Sequence, residues 1–120
     1  MIYLLCFVSF LHLNSIENKR LSTLLESIKG NINSPLNHYI RAQILSELHE
    51  YEYALEHIEK IIPYNHTFAS LYHLHGSLLY AINRPHDALN SLEKAHTLNP
   101  HDLLIIRDLY TCYLKLGNFD

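Results

Sequence analysis

Glycine and proline are scarce in this sequence, with 3 Gly and 4 Pro in 120 residues. A β-sandwich or β-barrel needs more turn residues than this, so the scarcity favours helices. The two cysteines, Cys6 and Cys112, lie near opposite ends and are too few for a disulfide scaffold. Basic residues are not in excess, with 9 Lys and Arg against 12 Asp and Glu, which argues against a sequence-independent nucleic-acid binder. The apolar content of 48% is instead typical of a chain that forms a core.

The motifs that usually carry enzyme chemistry are also missing. The sequence has no His-Glu-x-x-His or Cys-x-x-Cys motif, no glycine-rich phosphate loop and no Gly-x-Ser-x-Gly elbow. Ten histidines are many for this length, but His73 and His75, two residues apart, would face different sides of a helix. We therefore predict a protein without catalytic, metal or cofactor sites, whose histidines lie at the surface apart from one or two in packed positions. His75 is expected to be one of these packed residues.

The N-terminal stretch Met1–Leu13 is nearly all apolar. It is too short to cross a bilayer, which needs about 20 residues. No basic segment precedes it, and Leu13-Asn14-Ser15 is a poor cleavage site for a signal peptidase. We expect a buried first helix in a cytoplasmic protein. A signal peptide or anchor at residues 1–15 and a mis-assigned start codon are the alternatives.

A shift of 34 residues places one stretch of the chain on another. It aligns Ala54-Leu55 with Ala88-Leu89, and Glu59-Lys60 with Glu93-Lys94. A second shift of the same length continues the pattern. Apolar residues recur at three successive copies of three positions: Ile44, Leu45 and Leu48, then Leu78, Leu79 and Ile82, then Cys112, Tyr113 and Leu116. A period of this length predicts a stack of repeated supersecondary units.

Each period is expected to contain two helices. In the middle unit the first helix carries one apolar stripe at helical spacing, formed by Leu71, Leu74, Leu78 and Ile82. Pro85 suits the first turn of the second helix, since its missing N–H is not needed there, and Asn99-Pro100 ends that helix. Ser34-Pro35 predicts the start of an earlier helix, and Gly30 the end of the helix before it.

The middle unit resembles the tetratricopeptide repeat family. The resemblance depends on the period together with seven residues that have the spacing of the family signature: Tyr72, Gly76, Leu79, Ala88, Leu92, Ala95 and Pro100. The preceding unit carries part of the same pattern, in Ala42, Leu45, Tyr51, Ala54 and Ile58. It departs from the pattern at Ile61 and His66, and Tyr110 departs from it in the third unit, where a small residue is usual.

The resemblance implies an all-α fold, a right-handed superhelix of antiparallel helical hairpins (a TPR-like α-solenoid) with about seven helices. We divide the chain into a degenerate helix pair at 1–34, repeats at 35–68 and 69–102, and the first helix of a truncated repeat at 103–120. The last apolar face, with Leu109, Tyr113 and Leu116, would then lack a partner helix. Self-association through this uncapped helix is one expectation.

In this family the first helices of successive units line a concave groove that binds peptides or partner helices. The resemblance implies that three residues of each first helix face this groove: Tyr39, Gln43 and Glu47; His73, Ser77 and Tyr80; Arg107, Thr111 and Lys115. Some members hold the C-terminal carboxylate of a peptide with a lysine–asparagine–lysine–arginine set. That set is absent here, so binding of chaperone tails is not expected.

The predicted function is therefore a non-catalytic protein–protein interaction or scaffold module that binds a peptide or partner helix, without nucleic acid, cofactor or membrane span. The alternative is the repeat portion of a larger enzyme, such as a transferase, or of a secretion or assembly component, interrupted at Asp120. A third interpretation treats the groove residues as ordinary exposed residues of a spacer.

Overall fold

The structure is a computed structural model that describes Lys19, Thr23 and residues 34–117. The described residues contain five α-helices and a short 3₁₀ turn. In chain order they are α1 (Pro35–Glu47), α2 (Tyr51–Ile61), the 3₁₀ turn (Ile62–Tyr64), α3 (Ala69–Ala81), α4 (Pro85–Leu98) and α5 (Leu103–Leu116). Apart from Lys19 and Thr23, residues 1–33 lie outside the described residues, as do residues 118–120. The predictions made for them, including Gly30 and the two further helices at 1–34, are therefore untested.

The helix ends follow the local sequence. Ser34 caps α1 by accepting a hydrogen bond from the Asn37 backbone N–H at 3.3 Å, and Pro35 occupies the first turn, as predicted. Pro85 likewise occupies the first turn of α4. This helix ends at Leu98, directly before the predicted stop at Asn99-Pro100. Asp102 caps α5 by accepting from the Leu104 N–H at 2.9 Å. A side-chain cap of this kind contributes about 1 kcal/mol.

The turn that closes each unit's first helix has one repeated backbone shape. His49, Asn83 and Gly117, spaced at the 34-residue period, all have positive φ angles, of 63°, 65° and 75°. In the first two turns the next residue donates to a carbonyl five residues back, with Glu50 N–H on Leu45 O and Arg84 N–H on Leu79 O, both at 2.8 Å. The repeat in sequence is therefore also a repeat in backbone conformation.

The helices pack in chain order as antiparallel hairpins. The first hairpin is α1 with α2, the second is α3 with α4, and α5 packs against α4. The main core contains fully buried Ile58, Leu71, Leu78 and Leu92. A smaller cluster of Tyr72, Ala95 and Ile105 joins the second hairpin to α5. The core thus runs along the stack, which is how repeat proteins bury their apolar surface.

Candidate peptide-binding groove

The nine residues predicted for the groove lie on α1, α3 and α5, and α3 contacts both of the other helices. None of the nine is fully buried. Tyr39, His73, Ser77 and Tyr80 are half-buried, and the other five are exposed: Gln43, Glu47, Arg107, Thr111 and Lys115. The described contacts join them into two groups, one between α3 and α5 and one at the start of α1.

The group between α3 and α5 is organised by Asp108. Its Oδ2 lies 2.7 Å from His73 Nε2, and its Oδ1 accepts from Arg107 Nε and Nη2, both at 3.0 Å. Because a carboxylate only accepts, the proton of a neutral His73 must be on Nε2. Each oxygen of the Asp108 carboxylate thus has a partner, one on α3 and one on α5.

A cavity of about 130 Å³ opens beside this contact. Its lining residues are Ser77, Tyr80, Leu92, Asp108 and Thr111. The Ser77 and Thr111 hydroxyls each donate at 2.9 Å to the carbonyl four residues earlier in their own helix. Their oxygen lone pairs therefore remain as acceptors for a donor that enters the cavity. Next to it, the Lys115 ammonium lies 5.1 Å from the centroid of the Tyr80 ring, a cation–π contact.

The second group lies where α1 begins. The rings of Tyr39 and Phe68 are 5.2 Å apart between centroids, and Gln43 Nε2 donates to Tyr39 Oη at 3.3 Å. Burial raises the pKa of the Tyr39 phenol, so it stays protonated at neutral pH. A cavity of about 250 Å³ adjoins this pair, and its lining residues are Pro35, Leu36, Tyr39, Ile61, Asn65 and Phe68. Glu47 is exposed in the last turn of α1, away from the start of this helix.

Two residues of these groups were missed by the sequence reasoning. Asp108 lies 35 residues after His73, one position outside the repeat period, so the alignment of units does not pair them. Its place next to Arg107 was the available signal. Phe68 holds the N-cap position of α3, which Ser34 and Asp102 hold in the neighbouring units, but its side chain makes no capping hydrogen bond. Its aromatic character was the only indication of another role.

His75 is a packed residue, as predicted. Its Nδ1 lies 2.6 Å from Ser91 Oγ, and its Nε2 lies 3.7 Å from Glu59 Oε1. Burial lowers the pKa of His75, against the opposing effect of Glu59. A serine that contacts a histidine, which in turn contacts a carboxylate, can form a nucleophilic site. Here, however, Ser91 is only 9% exposed. The group therefore links α2, α3 and α4 and offers no accessible nucleophile.

The apolar side chains that α5 exposes are not the ones that the sequence predicted. Leu109 and Leu116 pack against the core, and the Tyr113 hydroxyl donates to Glu93 at 2.6 Å. These residues are half-buried rather than free. The apolar side chains that α5 exposes are others: Leu103, Leu104, Ile106, Tyr110 and Leu114. Self-association through this helix stays a prediction, and these are the residues that it would use.

Metal and membrane sites were searched over the described residues. No three histidine, cysteine or carboxylate side chains in that part of the chain come together as a metal site. Within the same residues, every helix is too short or too polar to cross a bilayer.

Comparison with known proteins gives a match in structure and none in sequence. No family model matches the sequence. No curated protein matches it either. Among solved structures, the chain is similar to one described as the first TPR of Spaghetti (RPAP3) bound to the HSP90 peptide SRMEEVD. The TM-score is 0.77 at 14% sequence identity, and the similarity covers 87% of this chain and 86% of the other.

A TM-score of this size over most of both chains, at so low an identity, reports shared architecture. It agrees with the order of the helices, their antiparallel packing and the recurring turn at His49, Asn83 and Gly117. The all-α fold class that the resemblance to tetratricopeptide repeats implied is confirmed. The chain therefore has the fold of a tetratricopeptide repeat domain, a right-handed superhelix of antiparallel helical hairpins.

Proposed function

We propose that this protein is a non-catalytic interaction module that binds an extended peptide or a partner helix along α1, α3 and α5. The observation that carries the proposal is the pair of cavities on these helices, of about 130 and 250 Å³. Each is lined by predicted groove residues, Ser77, Tyr80 and Thr111 in one and Tyr39 in the other. The structural similarity to a peptide-bound TPR domain supports the same function.

The chemistry of the two cavities indicates what a partner should offer. The cavity near Tyr39 is mainly apolar and aromatic, so it suits an aliphatic or aromatic side chain. The cavity near Ser77 presents the hydroxyl oxygens of Ser77 and Thr111 and the Asp108 carboxylate, which already contacts His73 and Arg107. The Lys115 ammonium lies beside it, over the Tyr80 ring. This cavity suits a small polar side chain that can donate a hydrogen bond, next to a carboxylate. The partner we propose is a short peptide that combines these features.

The test uses peptides selected on the protein from a random library. Replacing both Tyr39 and Arg107 with alanine removes one anchor from each end of the groove. We expect the double variant to bind the selected peptides at least tenfold more weakly, since buried aromatic and arginine contacts dominate most interfaces. Fluorescence anisotropy measures the affinity, and circular dichroism checks that helicity is unchanged.

Two residues outside α1, α3 and α5 provide the matched control. Tyr53 on α2 is exposed, and Arg84 pairs with Asp87 at the start of α4. The Tyr53→Ala, Arg84→Ala variant loses the same side-chain types and should bind within twofold of the parent. If the selected peptides bind the groove variant normally and the control variant weakly, the groove is wrongly assigned. Cytoplasmic location and the alternative of a larger enzyme or assembly component stay predictions.

A further inference from the structure

Four basic side chains meet on one face of the first hairpin. His38 and Arg41 lie three residues apart on α1, and His57 and Lys60 lie three residues apart on α2. The two imidazoles touch across the hairpin, with Nδ1 to Nδ1 at 2.9 Å and ring centroids 5.2 Å apart. One ring must donate and the other accept, so this contact needs at least one neutral histidine. We call these four residues the basic cluster.

Among the residues that the structure describes, the basic cluster has little negative charge around it. Burial lowers the pKa of both histidines, and the positive charges of Lys60 and Arg41 lower each further. Glu56 on α2 acts in the opposite direction on His57, as the smallest influence. Glu59, on the same helix, lies against His75 of α3 instead. Among the described groups, positive charge therefore outweighs negative charge at this face, in a chain whose formal net charge is −3.

Arg41 carries the clearest sign of a missing acceptor. Its Nε is buried and has no hydrogen-bond partner within the described part of the chain. A buried donor left unpaired costs about 1–3 kcal/mol, and more when the group is charged. An anion that accepted this N–H, once the Arg41 side chain had turned toward solvent, would remove the cost. Lys60 is exposed and His57 is half-buried, so a small anion can approach the same face from solvent.

The second hairpin shows that the repeat itself does not require such a cluster. At the same four positions of the 34-residue period it carries Tyr72, His75, Ser91 and Lys94. There each polar group has a neutral or acidic partner in the described structure. The Lys94 ammonium lies 4.8 Å from the Tyr72 ring centroid, and His75 bonds to Ser91. The first hairpin replaces this satisfied arrangement with four groups that are cationic or can become so.

We propose that the basic cluster binds a phosphate dianion, either free phosphate or the phosphate of a monoester such as phosphoserine. Arg41 would donate to it from its guanidinium, and Lys60 would supply a second charge from solvent. Arginine and phosphate form strong, geometrically defined hydrogen bonds, which suits a site built around Arg41. The site lies on the α1–α2 hairpin and is independent of peptide binding in the groove.

The first experiment is an NMR titration of the ¹⁵N-labelled chain with inorganic phosphate and, separately, with phosphoserine. Sodium chloride holds the ionic strength constant, so general screening is the same throughout. We expect saturable shifts at the His38 and His57 imidazoles, weakened about tenfold or more by Arg41→Gln or by Lys60→Gln. The Lys60 variant alters an exposed side chain and so tests the site without disturbing the core.

The matched control is Arg84→Gln, which removes an arginine already paired with Asp87 in the second hairpin. It should leave the titration unchanged. Saturable binding of either phosphate compound supports the proposal, and the tighter of the two indicates which source the site prefers. Shifts that never saturate, that chloride reproduces, or that persist in both cluster variants would overturn it.

A second experiment uses sulfate, because its charge does not change between pH 7.5 and 6.0. Both histidines release their protons more readily than usual in the free protein. A bound dianion favours their charged forms, so by linkage sulfate should bind more tightly at pH 6.0. The His57→Ser variant should lose part of that gain. Affinity for sulfate that is equal at both pH values, or higher at pH 7.5, would contradict a role for these imidazoles.

Discussion

The first and second hairpins follow one 34-residue pattern but pack their helices with different residues. Gly76 on α3 and Ala42 on α1 hold the same position of the pattern, and both are buried. A Cβ atom built on Gly76 would lie 2.6 Å from Leu92 Cγ and 3.1 Å from the Ala88 carbonyl oxygen. The second hairpin is therefore too tightly packed for alanine here, whereas the first accepts it.

The two hairpins also differ in how their polar side chains are paired. The second hairpin pairs Lys94 with the Tyr72 ring and His75 with Ser91. The first brings Arg41 and Lys60 close to two imidazoles, and no described residue pairs with the Arg41 Nε. The second hairpin thus has the closer packing and pairs the polar groups at these positions, while His96 Nδ1 on α4 is buried without a partner among the described residues. The first hairpin has the unbalanced charge. In a repeat protein, stability and binding chemistry can be divided between units in this way, because each unit contacts mainly its neighbours.

The largest difference in stability between the hairpins should come from their small residues. Gly76→Ala forces a Cβ into Leu92, and overpacking of this kind costs about 1–3 kcal/mol. The reciprocal change, Ala42→Gly, should cost about 0.5–1 kcal/mol through backbone entropy. Urea unfolding followed by circular dichroism measures both. The Gly76 penalty should shrink when Leu92 is also alanine, and a penalty equal to or below that of Ala42→Gly would mean that the packing does not differ.

The next difference should appear on acidification in phosphate-free chloride buffer. The pKa values of His38 and His57 lie below the ordinary value of 6.5 in the folded protein, chiefly because of burial. The unfolded chain then binds more protons, so their contribution to stability is complete above pH 6.5 and is lost as the pH falls below it. Urea midpoints between pH 7.5 and 5.0 should fall, and His57→Ser should flatten the decrease. If the urea midpoint of His57→Ser fell with pH as steeply as that of the parent, the loss of stability would come from other groups.

The smallest expected difference separates two lysines at one repeat position. Lys94→Gln removes a cation–π contact with Tyr72 and should cost about 0.5–1 kcal/mol. Lys60→Gln removes a positive charge near two imidazoles and should be neutral or slightly stabilising at pH 7.5 without phosphate. Equal losses of unfolding free energy in the two variants would show that the lysines have the same surroundings.

Much of the helical framework could be predicted from the sequence, because its determinants are local. Ser34-Pro35 and Pro85 predicted helix starts that the structure contains, and Asn99-Pro100 predicted an end. The apolar residues that recur every 34 positions form the core, and His75 is packed as expected. These results follow from side-chain periodicity and from the backbone limits of proline, which act within a few residues.

The contacts between polar side chains could not be predicted in the same way. The pairing of His73 with Asp108 and the contact of His38 with His57 each join different helices. They depend on how helices cross and which rotamers fit, and the repeat period does not specify either. The same limit explains why α5 exposes Leu103 and Tyr110 instead of Leu109 and Tyr113. The helix was predicted, but its rotation against α4 was not.

The sequence by itself therefore determined that this chain is a stack of helical hairpins, since period, caps and small residues are encoded locally and repeat. Only the tertiary structure decided which charged side chains have a partner and which do not. The positions of Arg41 and Lys94 each belong to a repeating pattern. Yet the buried Arg41 Nε has no partner among the described residues, whereas Lys94 lies over an aromatic ring. The physical reason is that a polar group's free energy depends on the partners and burial that neighbouring helices supply, whatever its place in the repeat.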